Sequence, residues 1–286
     1  MEIISSLSDM KKKSDEVRSS KKTLGFVPTM GCLHRGHMSL VEASVAACDF
    51  TVASIFLNPA QFGQNEDLDT YPGDLEKDKQ LLESAAVDAL FLPTRESMYP
   101  HGYKSFVTVE EITGRLCGKS RPGFFRGVAT VVLKLFNIVR PHRAFFGEKD
   151  WQQLTVVETM VRDFNLDISI ERLPIVREPS GLAMSSRNLY LSEEEVSPAL
   201  SLSRALNMAK DRVQKGECST GNIRREIRDL IENEKGIQID YISICDPENF
   251  MEQEEISKTS LIALAVRVGR TRLIDNCIVR RAECRE

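Results

Sequence analysis

Residues 24–57 read LGFVPTM GCLHRGHMSL VEASVAACDF TVASIFL, and the order of textures within them decides the fold. Residues 24–28 are a short apolar run, the mark of a buried strand. A loop over residues 29–34 leads into a helix expected over 36–47, where Met38, Val41, Val45 and Cys48 recur at helical spacing. Residues 50–57 are a second apolar run. A strand, a glycine-bearing loop, a helix and a strand make the βαβ unit of a parallel sheet.

The same alternation continues downstream. Helices are expected over 74–86, 128–138 and 151–164, strands over 87–92, 143–147 and 167–173, and an irregular edge strand over 104–110. The polar stretch 58–72, with Gly63 and two prolines, exceeds a plain connection and is a candidate functional loop. Between residues 177 and 191 the texture changes. Two polar helices and three strands follow, at 237–245, 261–268 and 271–280, the last two joined by a hairpin at Gly269-Arg270. At 286 residues two domains are the default. The expected architecture is α/β, a Rossmann-like parallel sheet with helices on both faces over 1–176, then a smaller α+β domain over 177–286.

Bulk properties narrow the function. Hydrophobic residues are 42% and charged ones 28%, so no long region is too polar to fold. A net charge of -4 and a pI near 5.8 exclude the basic footprint of a general nucleic-acid binder. Seven cysteines, at 32, 48, 117, 218, 245, 277 and 284, are odd in number and include no Cys-x-x-Cys pair. A disulfide framework or a zinc site is therefore not indicated, and a reducing compartment is. The amino terminus lacks the order of a signal peptide, and no apolar run approaches the roughly 20 residues that span a bilayer. The expectation is a cytoplasmic protein acting on small molecules.

Two of the four histidines stand in His34-Arg35-Gly36-His37, after a strand and at a helix start. A helix start offers backbone N–H groups and a positive dipole end, so it attracts phosphate, and Gly31 and Gly36 permit close approach. Residues i and i+3 share a face, so both imidazoles can donate to a triphosphate. The plain alternative, that they only cap the helix, is outweighed by the glycine-flanked setting. No third ligand nearby suggests a metal. Gly147-Glu148-Lys149-Asp150 ends a strand where ligands bind in open α/β sheets, with Lys149 suited to phosphate and Asp150 to ribose hydroxyls, although charged loops are often only solvated. Gly181-Leu182-Ala183-Met184-Ser185-Ser186-Arg187-Asn188 is a small-residue segment at the domain boundary, readable as a loop closing on phosphate or as a flexible linker with a helix cap. Gln61 and Gln153 supply neutral donors and acceptors for a hydroxy acid, with Met30 and Phe62 as walls. Tyr71 reads as a core aromatic and Asp78 as a helix-surface carboxylate.

In order along the chain, Pro28-Thr29-Met30-Gly31 with His34-x-Gly36-His37, Asn58-Pro59-x-Gln61-Phe62, Phe146-Gly147-Glu148-Lys149-Asp150 and Met184-Ser185-Ser186-Arg187-Asn188 closely resemble the pantothenate synthetases, of the His-x-Gly-His nucleotidyltransferase superfamily. The resemblance runs from about residue 26 to 191. It implies a ligase condensing (R)-pantoate with β-alanine, using ATP and Mg2+, through a pantoyl-adenylate intermediate, with release of AMP and diphosphate. It also implies a homodimer, for which the apolar strands near Ile262 and Ile274 offer a surface. On this chain Met30, Gly31, Cys32, Leu33, His34, Arg35, Gly36 and His37 would line the ATP site. Gly147, Glu148, Lys149, Asp150 and Val176 would hold the adenosine end, and Met184, Ser185, Ser186 and Arg187 the triphosphate. His37, His34, Lys149 and Arg187 would be catalytic, and Gln61 and Gln153 would fix pantoate. Residues 1–176 would bind nucleotide and pantoate, and 177–286 would form a lid. Cys32 and Arg35 stand where alanine and glutamate are frequent in that family, and Trp151 where tyrosine is usual; no catalytic group is lost.

Two other readings compete. A nucleotidyltransferase acting on a phosphate acceptor would need extra cations around that acceptor, whereas Gln61 and Gln153 suit an uncharged polyol beside a carboxylate. A non-catalytic nucleotide-binding module would tolerate loss of His37.

Overall fold

The structure is a computed structural model and describes residues 1–63 and 66–281. Residues 64–65 of the polar loop, and Cys284, lie outside the described residues. Among the described residues nine strands form two sheets. They are β1 (Glu2–Ile4), β2 (Leu24–Thr29), β3 (Phe50–Ile55), β4 (Ala89–Phe91), β5 (Arg143–Gly147), β6 (Ser169–Leu173), β7 (Ile237–Cys245), β8 (Ser260–Val268) and β9 (Thr271–Val279). The helices are α1 (Leu7–Ser19), α2 (Arg35–Ala47), α3 (Leu75–Ser84), α4 (Arg95–Met98), α5 (Leu116–Ser120), α6 (Phe124–Val139), α7 (Trp151–Asp163), α8 (Glu193–Ala199), α9 (Ser201–Gln214) and α10 (Thr220–Glu232).

The first sheet has six strands in the order β1-β4-β3-β2-β5-β6, all parallel. Both of its faces are covered, so its inner strands are apolar without alternation. In β2 the consecutive residues Phe26 and Val27 are both fully buried because they serve opposite faces. Phe26 meets Phe136 of α6 edge-on, ring centroids 6.4 Å apart. Val27 joins the cluster of Leu40 and Val41 from α2 and Leu82 from α3. The helices on both faces are as expected from the sequence.

Strand order reverses at β2, which lies between β3 and β5. The β2–β5 ladder stops at Phe26↔Ala144, while β2 runs on beside β3 to Thr29↔Ile55 and β5 beside β6 to Gly147↔Leu173. The two central strands therefore part at their carboxyl ends, where a ligand crevice forms in such sheets. Pro28, which has no N–H to give, sits beyond the last β5 pairing.

Some local expectations need correction. Residues 104–110 form no strand; the N–H of Val107 is taken by Thr130 Oγ1 on α6 at 2.9 Å, so this segment lies on a helix and not on a sheet edge. The amino terminus, where the sequence shows no clear period, forms β1 and α1, and β1 pairs with β4 through Glu2↔Ala89 to Ile4↔Phe91.

The chain divides into two compact units: Met1–Thr113 with Arg121–Glu148 and Gln152–Val176, and Arg177–Glu286 with Gly114–Ser120 and Lys149–Trp151. In the second, β7-β8-β9 form an antiparallel sheet, with β8 and β9 joined by the expected hairpin, Val268↔Thr271. Between residues 191 and 237 stand three helices, α8, α9 and α10, where two were expected, because the first polar stretch breaks at Leu200, just after Pro198 in α8. Ile223, Ile227 and Ile231, one turn apart on α10, are fully buried in a core shared with α9, β7, β8 and β9. That core also takes Ile262, so Ile262 is spent inside this unit and offers no surface to a second chain; Ile274 is half-buried.

Candidate active site

At the end of β2 the chain turns sharply. Gly31 (φ 84°) and Cys32 (φ 52°) are both left-handed, the first of them glycine because a methyl there would crowd Asp78 Oδ2 and Ile55 Cγ2, each at 3.1 Å. The turn aims two successive N–H groups at one carboxylate. Cys32 donates to Asp78 Oδ2 at 2.8 Å and Leu33 to Asp78 Oδ1 at 2.7 Å. Asp78 is therefore no surface residue; it is 2% exposed, and burial pushes its carboxyl above 3.8 against the pull of the Leu33 and Cys32 N–H groups. A legible signal existed, since Asp78 precedes the buried Leu82 by one turn and so occupies the inward stripe of α3.

His34 is the N-cap of α2. Its Nδ1 accepts the N–H of Gly36 at 3.1 Å, and because a backbone N–H can only donate, the ring proton belongs on Nε2. His37 stacks on it, centroids 4.0 Å apart and planes 25° apart. His34 therefore caps the helix through Nδ1 while its Nε2 carries the ring proton. The N–H groups of Gly31, Cys32, Leu33 and Gly36 are engaged by Thr29, Asp78, Asp78 and His34. Leu33 turns its side chain into the core, and Arg35 is exposed.

After β3, Pro59–Gln61 forms one 3-10 turn capped by Asn58, whose Oδ1 accepts the N–H of Ala60. Gln61 is buried, with Nε2 3.0 Å from Met30 Sδ, so the loops after β2 and β3 meet. Met30 and Gln61, both candidate site residues, are thus in contact. Tyr71 is half-buried, edge-on to Phe62 at 6.2 Å. Gly147 ends β5 and Glu148 follows it, both half-buried beside the parting of the central strands, and Gln153 and Val176 are half-buried in the same unit. The neighbouring Gln152 is structural, its Nε2 donating to Ile112 O at 2.8 Å.

The second unit carries the remaining candidates. The carbonyl of Lys149 accepts from Asn276 Nδ2 of β9 at 2.9 Å, Asp150 is exposed, and Trp151 Nε1 donates to Pro247 O at 2.9 Å. Ser185 Oγ caps the 3-10 turn Ser186–Tyr190, which bears Arg187 and packs on β9. Residues 177–191 are no flexible linker. Arg177 grips the buried Asp275 with its two terminal guanidinium nitrogens, at 2.7 and 2.9 Å, and also donates to Gly181 O at 3.0 Å. Asn188 ties the turn back to Glu178 and Ala183.

Among the described residues no group of three or more His, Cys, Asp or Glu could hold a metal ion. No described helix is long and apolar enough to cross a membrane.

The chain is similar to known proteins over nearly its whole length. The family profile described as pantoate-beta-alanine ligase matches residues 2–278. The pantothenate synthetase of Caldicellulosiruptor bescii is 52% identical over 279 residues, covering 98% of this chain and 99% of its own. Among solved structures, pantothenate synthetase from Thermus thermophilus matches with a TM-score of 0.90 at 42% identity, over 97% of this chain and 99% of that one. The pantoate-beta-alanine ligase of Francisella tularensis, complexed with beta-gamma ATP and beta-alanine, matches with a TM-score of 0.82 at 34% identity, over 97% of both chains. The chain belongs to the pantoate-β-alanine ligase family and is an enzyme of that class.

Proposed function

We propose that this enzyme condenses (R)-pantoate with β-alanine in two steps. A carboxylate oxygen of pantoate attacks the α-phosphorus of ATP, the bond from that phosphorus to the bridging oxygen breaks, and diphosphate leaves with the electron pair. The β-alanine amine then attacks the acyl carbon of the pantoyl adenylate, AMP leaves, and the amine gives up its proton. The observation that carries this reading is the stacked His34 and His37 pair at the parting of β2 and β5, with the Nε2 proton of His34 committed by Gly36.

In this reading His34 and His37 donate to phosphate oxygens as charge develops on them. Neutralised diphosphate needs little protonation to leave, so oriented donors suffice in place of an acid catalyst. Lys149 and Arg187 add positive charge to the polyphosphate. Nucleotide contacts come from Met30 to His37 and from Gly147, Glu148, Lys149, Asp150, Val176, Met184, Ser185 and Ser186. Gln61 and Gln153 hold pantoate, and the acyl adenylate needs only proximity to react with the β-alanine amine. The ligand content of the Francisella relative, a nucleotide and β-alanine, supports the substrate assignment. Magnesium would enter with the nucleotide, since the described residues offer no protein cage for it and a hard, hydrated cation is well held by phosphate oxygens and water. The enzyme would work in the cytoplasm as a homodimer.

The deciding experiment is exchange of labelled diphosphate into ATP. Exchange that depends on pantoate and not on β-alanine is expected; folded protein showing none with Mg·ATP and pantoate would overturn the reading.

A further inference from the structure

The Gln61 amide has one end already engaged, and the residue that decides which end is Asn58. Asn58 is 1% exposed, and two backbone groups of fixed polarity orient it. Ala60 N–H donates to its Oδ1 at 3.3 Å, and the carbonyl of Gly127 accepts from its Nδ2 at 3.1 Å. The remaining Nδ2 hydrogen goes to Gln61 Oε1 at 3.0 Å. Gln61 therefore keeps its oxygen turned inward and aims its NH2 at Met30 Sδ, a weak acceptor that a ligand oxygen can replace.

This arrangement is braced from both sides. A methyl group at Gly127 would overlap the carbonyl of Ala60, so the turn carrying Gln61 lies directly on the α6 backbone. On the other side, Tyr99 OH donates to Asn58 Oδ1 at 2.8 Å. Burial raises the Tyr99 hydroxyl well above its ordinary value of 10.0, so it remains a donor throughout the working range. Its ring is steadied by Phe56 at 6.3 Å and edge-on by Tyr103 at 5.1 Å.

We propose that Tyr99 is a positioning residue that, through Asn58, locks the Gln61 amide with only N–H groups facing the substrate. This part of the site then accepts an oxygen, from a hydroxyl or carboxylate of the acid, and rejects an analogue that presents an amine there. The inference rests on the reading above that Gln61 meets pantoate, and it adds the polarity of that contact and the residue that sets it.

The test uses pantoate-dependent exchange in the full chain. Tyr99→Phe keeps the ring and loses the hydroxyl. Its KM for pantoate should rise about five- to tenfold, the size expected for one neutral hydrogen bond, while kcat and the KM for ATP move less than about twofold. Asn58→Asp has no N–H to offer Gln61 or Gly127, so the Gln61 amide turns over and presents its oxygen. In that variant the KM for pantoate should rise about 100-fold or more, and discrimination against an amino analogue of pantoate should narrow. An unchanged KM in Tyr99→Phe, or a loss spread equally over kcat and the KM for ATP, overturns the proposal; if that variant does not fold, unaltered analogue discrimination in Asn58→Asp does so. Wild-type protein without pantoate-dependent exchange would instead remove the underlying functional reading.

Discussion

Asp78 holds the N–H of Leu33 at 2.7 Å, and with it the whole turn between β2 and the two histidines, although Asp78 and Leu33 are 45 residues apart in sequence. Asp78→Asn swaps one acceptor oxygen for an NH2 that faces a backbone N–H. The expected cost is about 1–3 kcal/mol of stability, with a fall in exchange because the turn presenting His34 loosens. Thermal melting and the exchange rate check it together.

The same carboxyl gives a pH signature. Burial raises its folded-state value above 3.8, so the folded chain binds that proton more tightly than the unfolded chain does. Its contribution to stability is then complete below 3.8 and is lost as pH rises through the raised value. The melting temperature of the wild type should therefore decline relative to Asp78→Asn over that interval. A difference independent of pH would show that Asp78 titrates normally.

His34 caps α2 through Nδ1 and, in the proposed chemistry, donates through Nε2, and one substitution separates the roles. Asn is among the best N-cap residues, so His34→Asn should keep the melting temperature within a few degrees. Lacking a donor at the Nε2 position, it should lose about 10²-fold or more in exchange rate. Retained exchange in His34→Asn would leave His34 a capping residue only.

Arg177 binds Asp275, whose side chain is 2% exposed, and the same guanidinium holds Gly181 O next to the segment bearing Arg187. Asp275→Asn keeps the shape and removes the charge. About 1.5–3 kcal/mol of stability should go, in proportion to a charged hydrogen-bonded pair left half-matched, and proteolysis within residues 177–191 should speed up. Limited digestion read by mass spectrometry measures this.

Chelation gives a contrast between activity and fold. With no metal cage among the described residues, EDTA should abolish exchange while leaving the melting temperature of the nucleotide-free enzyme within about 1 °C. A large destabilisation would mean a resident structural ion.

Local pattern carried much of this molecule. Apolar runs and helical spacing located β2, α2, β3, α6, β5 and α7 within a few residues, because each is long enough to show its period and is buried on a defined side. The short β1 has no such period: three residues become a strand only because β4 offers them an open edge. Residues 104–110 show the converse, a strand-like pattern that found Thr130 on a helix before it found a partner strand.

For the proposed site, the sequence by itself supplied the candidate groups: paired imidazoles at a helix start, two glutamines, Lys149 and Arg187, each in a motif short enough to read locally. Tertiary structure alone decided how those groups are aimed. The turn at Gly31 and Cys32 depends on a carboxylate from α3, the Gln61 amide on a carbonyl of α6 and a hydroxyl near α4, and the carbonyl of Lys149 on Asn276 of β9. Hydrogen-bond direction depends on which donor meets which acceptor across the fold, and no spacing along the chain records that.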